Sequence, residues 1–78
     1  MQWEDHISFN PDVCHGKACI RGTRVLVSVI LDNLAASLTH DAILKDYPTI
    51  TEESIRAAIA YAADLAHERV LSSTQGAA

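Results

Sequence analysis

Gly16-Lys17-Ala18-Cys19-Ile20-Arg21-Gly22-Thr23-Arg24 is the stretch on which the fold turns. It holds two of the three glycines and three of the six basic side chains, and a helical pattern follows directly. Ala18–Ile20 and Thr23–Val25 read as two very short strands around Arg21-Gly22. That is a tight hairpin in which Gly22 supplies the positive φ the turn needs. A two-stranded ribbon of this length is not stable alone. A third strand has to come from elsewhere.

On the N-terminal side, Trp3, Ile7 and Phe9 share one parity, with Asp5, His6 and Ser8 among them. This period of two predicts a strand with one wet face. Asn10-Pro11-Asp12 ends it with turn chemistry. The segment supplies the missing strand from the same chain or from a second copy, and exchange in a dimer is the favoured arrangement. Trp3, Ile7 and Phe9 are then a dimer arm.

On the C-terminal side the period becomes helical. Val27, Ile30, Leu31, Leu34 and Leu38 fall on one face at spacings of three and four. Thr39 is placed to accept from the free amides of the next turn, opening a short helix with Ile43, Leu44 and Tyr47 inward. Pro48 closes it, because the residue before proline disfavours helix. Thr51 caps the last and longest helix, where Glu52 and Glu53 suit the positive end of the dipole. Its inward stripe reads as Ile55, Ile59, Ala62 and Ala66, widened by Ala58, Leu65 and Val70. The fold class is therefore mostly α. Residues 1–26 form a β-arm and hairpin, residues 27–71 a three-helix, helix-turn-helix-like (homeodomain-like) body, and residues 72–78 a disordered tail.

Bulk properties narrow the function. At 78 residues this is one domain, and a chain of that size buries only about 60% of its unfolded surface. Its apolar fraction is 49%, which points to an oligomer or a standing partner. The net charge of −4 disfavours charge-driven nucleic-acid binding over the whole surface. The charge is unevenly spread: Lys17, Arg21 and Arg24 lie at the front, and Asp41, Asp46, Glu52, Glu53, Asp64 and Glu68 behind. No signal-peptide pattern and no membrane-length apolar run occurs, and two cysteines without a secretory signal fit a reducing, cytoplasmic setting.

Four elements together resemble the bacterial and archaeal family called domain of unknown function 433. They are Gly16-Lys17 with Ile20, Gly22-Thr23-Arg24, Tyr47-Pro48-Thr49-Ile50-Thr51 and Ile59-Ala60-Tyr61-Ala62. The likeness runs from about residue 7 to residue 70. Two positions depart from the family pattern. Ala18 replaces the usual Pro, loosening the approach to the hairpin. Ser37 replaces the usual Gly, which puts a left-handed backbone there in doubt. The resemblance implies a small helix-turn-helix-like domain behind a β-arm. It also implies a VapB-type antitoxin that neutralises a PIN-like ribonuclease by contact and represses its own operon.

Candidate sites follow from residue type and place. Lys17, Arg21 and Arg24 at the hairpin, with Arg56 on the third helix, are the candidate phosphate or base contacts. The alternative for the arginines is a structural one, in which Arg21 or Arg24 pairs with a carboxylate of the helical body. Gly16, Gly22, Thr23 and Pro48 are structural turn residues, with the Thr23 hydroxyl satisfying a local amide. Asp46, Glu52, Glu53, Asp64 and Glu68 are the candidate partner-binding face, although Glu52 and Arg56 are spaced to pair with each other. Cys14-His15 and Cys19 match no closed zinc pattern, and Cys19 reads as a small buried hydrophobe. Adjacent Cys14 and His15 in an extended chain point to opposite faces, so they are no nucleophile and base. No cofactor, metal or catalytic constellation is expected. The leading expectation is a homodimeric antitoxin-like protein. A stand-alone DNA-binding regulator and a structural dimerisation module are the alternatives.

Overall fold

The computed structural model describes the backbone of residues 1–77 and the side chains of residues 1–67. The chain is mostly helical, with a small antiparallel sheet at its N-terminal end. Strand β1 is Ile7–Ser8 and β2 is Cys19–Ile20, in the register Ile7 to Ile20 and Ser8 to Cys19. Helices α1 (Val27–Ala35), α2 (His40–Asp46) and α3 (Glu52–Ala77) follow. At about 1.5 Å per residue, α3 accounts for the 42 Å long axis of the molecule. The expectations for Glu68, Val70 and the tail 72–78 lie outside the residues described to side-chain level.

The helix ends obey local chemistry. Thr39 Oγ1 accepts from the Ala42 amide at 3.1 Å. Thr51 Oγ1 accepts from the Ser54 amide at 3.3 Å, while Ser54 Oγ accepts from the Thr51 amide at 3.0 Å. This is a reciprocal capping box with Ser in the place of Glu. Between the two helices, Pro48 sits in a turn closed by the Ile50 amide on the Tyr47 carbonyl at 3.1 Å, and Ile50 is buried beneath it. Helix α1 ends in a Schellman motif: the Leu38 amide reaches the Asn33 carbonyl and the Ser37 amide reaches that of Leu34. Ser37 therefore has φ +71°, a left-handed conformation. The doubt placed on that conformation is overturned, because two backbone hydrogen bonds hold the turn.

The core is built from Ile7, Ile20, Val27, Ile30, Ile43, Ile50 and Ile55, closed by Cys19, Ala57 and Ala58. Fully buried Ala57 and Ala58 let the α3 backbone approach its neighbours. The expected α3 stripe is corrected. Ile55 and Ala58 are buried, but Ile59, Leu65 and Ala66 are exposed, and the inner face runs through Ser54, Ala57, Ala58 and Tyr61 instead. The face is rotated by about one residue, roughly 100°. Alanine on nearly every side left the periodicity without a sharp direction; the buried Ser54 cap and the Tyr61 ring supply it.

The expected strand Trp3–Phe9 is also corrected. Trp3–Asp5 is a single 3-10 turn, closed by the His6 amide on the Trp3 carbonyl at 2.9 Å, and only Ile7–Ser8 is strand. That strand pairs with β2 of the same chain. Trp3 does not line up on the sheet with Ile7. It turns onto α3, where its ring meets Tyr61 edge-on at 4.9 Å and its indole N–H donates to Asp64 Oδ2 at 2.5 Å.

Candidate interaction surface

The turn Ile20-Arg21-Gly22-Thr23 is closed by the Thr23 amide on the Ile20 carbonyl at 3.0 Å, with Gly22 at φ +82°. Positive φ at the third residue of a four-residue turn is the type II signature, which explains glycine there. Thr23 Oγ1 donates to the Ile20 carbonyl at 2.8 Å and accepts from the Val25 amide at 3.0 Å. The Ile20 amide on the Val25 carbonyl at 2.9 Å and the Cys19–Leu26 bridge continue the ribbon into α1.

The three basic residues of this segment have different roles. Arg21 is structural, though its partners are not the expected carboxylates. Its Nη2 donates to the carbonyls of Glu4 at 3.1 Å and Ile7 at 3.0 Å, and its Nε to that of Asp5 at 3.2 Å. These are the free carbonyls at and beyond the 3-10 turn, and a planar guanidinium can reach all three at once. Lys17 and Arg24 are exposed and form no ion pair among the described residues. Arg24 lines a cleft of about 410 Å³ together with Ser8, Asn10 and Thr23. Lys17 lies at the edge of a second, more apolar cleft of about 450 Å³ formed with Phe9, Val27, Leu31 and Tyr61.

Residues 14–16 differ from the sequence reading. Cys14, His15 and Gly16 have φ of +54°, +55° and +80°, three successive left-handed residues. The chain there is a tight turn and not extended, so the argument that placed Cys14 and His15 on opposite faces does not apply. The Lys17 amide closes the turn on the Cys14 carbonyl at 3.0 Å. Cys19 is buried, as expected of a small hydrophobe. Burial pushes its thiol pKa up, and a hydrogen bond and charge interaction with Cys14 add to this while Arg24 opposes it.

The acidic residues divide in the same way. Asp46 and Glu53 are exposed. Glu52 Oε2 accepts from His40 Nδ1 at 2.6 Å and lies 3.8 Å from Arg56 Nε, the expected i,i+4 pair. Asp64 is engaged by Trp3. Glu52 and Asp64 therefore hold the fold together, one tying α2 to α3 and the other tying the N-terminus to α3. Sequence reasoning missed the cluster of Trp3, Phe9 and Tyr61, whose rings lie 4.9 to 6.5 Å apart. The signal available was the indole N–H, which seeks an acceptor when half-buried. Among the described residues no three His, Cys, Asp or Glu side chains come together as metal ligands. No helix among them is long and apolar enough to cross a membrane.

A hairpin-led three-helix body with a Gly-Thr-Arg turn and a Tyr-Pro turn defines a recognised class of small domains. The family model described as "Protein of unknown function (DUF433)" matches residues 7–62, and the chain belongs to that family. Among solved structures, the crystal structure of a DUF433 member protein from Anabaena variabilis ATCC 29413 at 2.00 Å resolution is similar, with a TM-score of 0.74 and 29% identity. The match covers 83% of this chain but 64% of that one, so this chain spans less than two thirds of its neighbour. No curated protein matches.

Proposed function

We propose that this protein is an antitoxin-like binding protein that neutralises a PIN-like ribonuclease by direct contact, acting as a cytoplasmic homodimer and not as an enzyme. The observation that carries this reading is the outer part of α3. Beyond Tyr61 the helix presents Ala63, Leu65, Ala66 and His67 to solvent, with Leu65 at 38% exposure one turn from Tyr61. Ile59, at 42%, is exposed on another side of the same helix. Exposed apolar residues on a helix that runs past its own body suit the helix-in-groove mode of partner binding. Exposed Asp46 and Glu53 add acidic groups that complement a basic RNA-binding cleft.

The test is RNA cleavage by a purified PIN-like nuclease with and without this protein. Stoichiometric inhibition is expected, and it should weaken when Leu65 is replaced by Asp. A nuclease unaffected by a molar excess would overturn the reading. Operator binding is a second activity in this proposal, favoured by the exposure of Lys17 and Arg24. Arg21 commits three of its five N–H donors to its own backbone, so the phosphate footprint rests mainly on two hairpin cations per chain, with Arg56 partly drawn to Glu52. Each phosphate neutralised contributes about −0.9 to the slope of log affinity against log salt. Replacing Lys17 and Arg24 should flatten that slope.

A further inference from the structure

We propose that the cleft beside the Gly22 turn is a binding site for a phosphate monoester, the terminal phosphate of a free nucleotide or of a nucleic-acid strand. Its volume of about 410 Å³ falls within the range of small-ligand clefts, about 300–1,000 Å³. Ser8 and Asn10 come to it from β1 and the turn that follows, and Arg21, Gly22, Thr23 and Arg24 from the turn after β2. The chain has ten acidic residues, yet among the described residues no carboxylate lines this cleft. The site stands on that lining and is independent of nuclease inhibition.

The lining offers donors, and the fold already fixes most of them. Arg21 Nε and Nη2 are committed to the carbonyls of Asp5, Glu4 and Ile7, which holds the guanidinium and leaves the two Nη1 hydrogens without a partner. Asn10 Oδ1 accepts from the Asp12 amide at 2.8 Å, which fixes the carboxamide and leaves its Nδ2 hydrogens free. Ser8 Oγ accepts from the Asn10 amide at 3.3 Å and keeps its own hydrogen to donate. Arg24 is exposed, pairs with no acid among the described residues, and brings a second guanidinium. A carboxylate has one charge and two oxygens, which a single bidentate arginine satisfies. A phosphate monoester has three terminal oxygens and a charge of about −1.5 to −2 at pH 7, which matches two arginines with an amide and a hydroxyl beside them. A diester inside a strand has one charge and two free oxygens, and leaves part of that set unused. Because Arg21, Asn10 and Ser8 are already held by backbone partners, binding costs them little side-chain freedom.

The test is titration of the isotope-labelled full chain, followed by amide NMR shifts. The probes are adenosine monophosphate and a short single-stranded oligonucleotide bearing either a 5′-phosphate or a 5′-hydroxyl. The two monoesters should saturate and move the amides of Ser8, Asn10 and residues 22–24 first. Arg24→Ala removes no side-chain hydrogen bond of the fold and should weaken this binding about tenfold or more. Lys45→Ala removes an equal charge from α2, away from the cleft, and should leave it unchanged. Tighter binding of adenosine monophosphate than of the phosphorylated strand would assign the site to free nucleotides, and the reverse to strand ends; equal affinities would mean that the phosphate alone is recognised. The 5′-hydroxyl strand presents the same diesters, so it separates this site from operator binding. No saturation by either monoester, equal binding of the 5′-hydroxyl and 5′-phosphate strands, or an Arg24→Ala affinity no weaker than that of Lys45→Ala would each overturn the proposal.

Discussion

Replacing Arg21 with Ala removes the side chain that ties the hairpin turn to the N-terminal segment. Of its three hydrogen bonds, the one to Ile7 is partly buried and those to Glu4 and Asp5 are exposed. A bond from a charged donor to a partly buried carbonyl contributes about 1.5 kcal/mol, and the exposed carbonyls regain water when the donor leaves, so each adds only a few tenths. The total is about 2 kcal/mol, which for a domain of this size lowers Tm by roughly 10 °C. Thermal melts followed by circular dichroism measure this directly. Trp3 fluorescence reports the same event locally, because the 3-10 turn that Arg21 caps is the one that seats Trp3 on Tyr61. Arg21→Lys keeps the charge but cannot reach three carbonyls, and should recover less than half of the loss. Arg24→Ala is the control: with no partner among the described residues it should shift stability by no more than about 0.5 kcal/mol. Coincident melts for Arg21→Ala and Arg24→Ala would refute the reasoning, since they would mean that the three bonds contribute nothing.

Three further outcomes follow from local geometry. Ser37→Gly should stabilise the protein by roughly 0.5–1 kcal/mol in urea titrations, because the φ of +71° costs a Ser but not a Gly and the Schellman bonds involve backbone only. Ala18→Pro should stabilise by about 0.5 kcal/mol, because Lys17 at φ −73° and ψ 154° already has the backbone that a residue before proline requires. A lower Tm for that variant would show that the Ala18 amide has a partner the fold needs. The raised pKa of Cys19 makes stability depend on alkaline pH. The folded state binds the thiol proton more tightly, so this contribution is fully present below the unfolded value of 9.0 and is lost as pH rises through the higher native value. Cys19→Ala should flatten the alkaline limb of a stability-against-pH curve.

The candidate surface was legible in part. Lys17, Arg24, Asp46 and Glu53 could be named from the sequence and are exposed in the structure. Arg21, Glu52 and Asp64 belong to the same list by composition, yet each is drawn into the fold by a partner. A charged side chain looks the same in a sequence whether it meets solvent or a carbonyl 14 residues away. Only the Glu52–Arg56 pair was readable in advance, because one turn of helix fixes its spacing.

The sequence by itself determined the features that depend on neighbours within about four residues. These are the Thr39 and Thr51 caps, the Pro48 turn, the positive φ at Gly22 and the Thr23 hydroxyl on a local amide. Hydrogen bonds of that range close whatever the rest of the chain does, so residue type and spacing are enough. The tertiary structure decided which face of α3 is buried, why Trp3 leaves the strand and what Arg21 holds. Trp3 and Asp64 are 61 residues apart, and Arg21 reaches back 14 to 17 residues. Those contacts exist only after the sheet and the helices have packed, and an alanine-rich helix has no strong apolar face to announce beforehand which side will meet them.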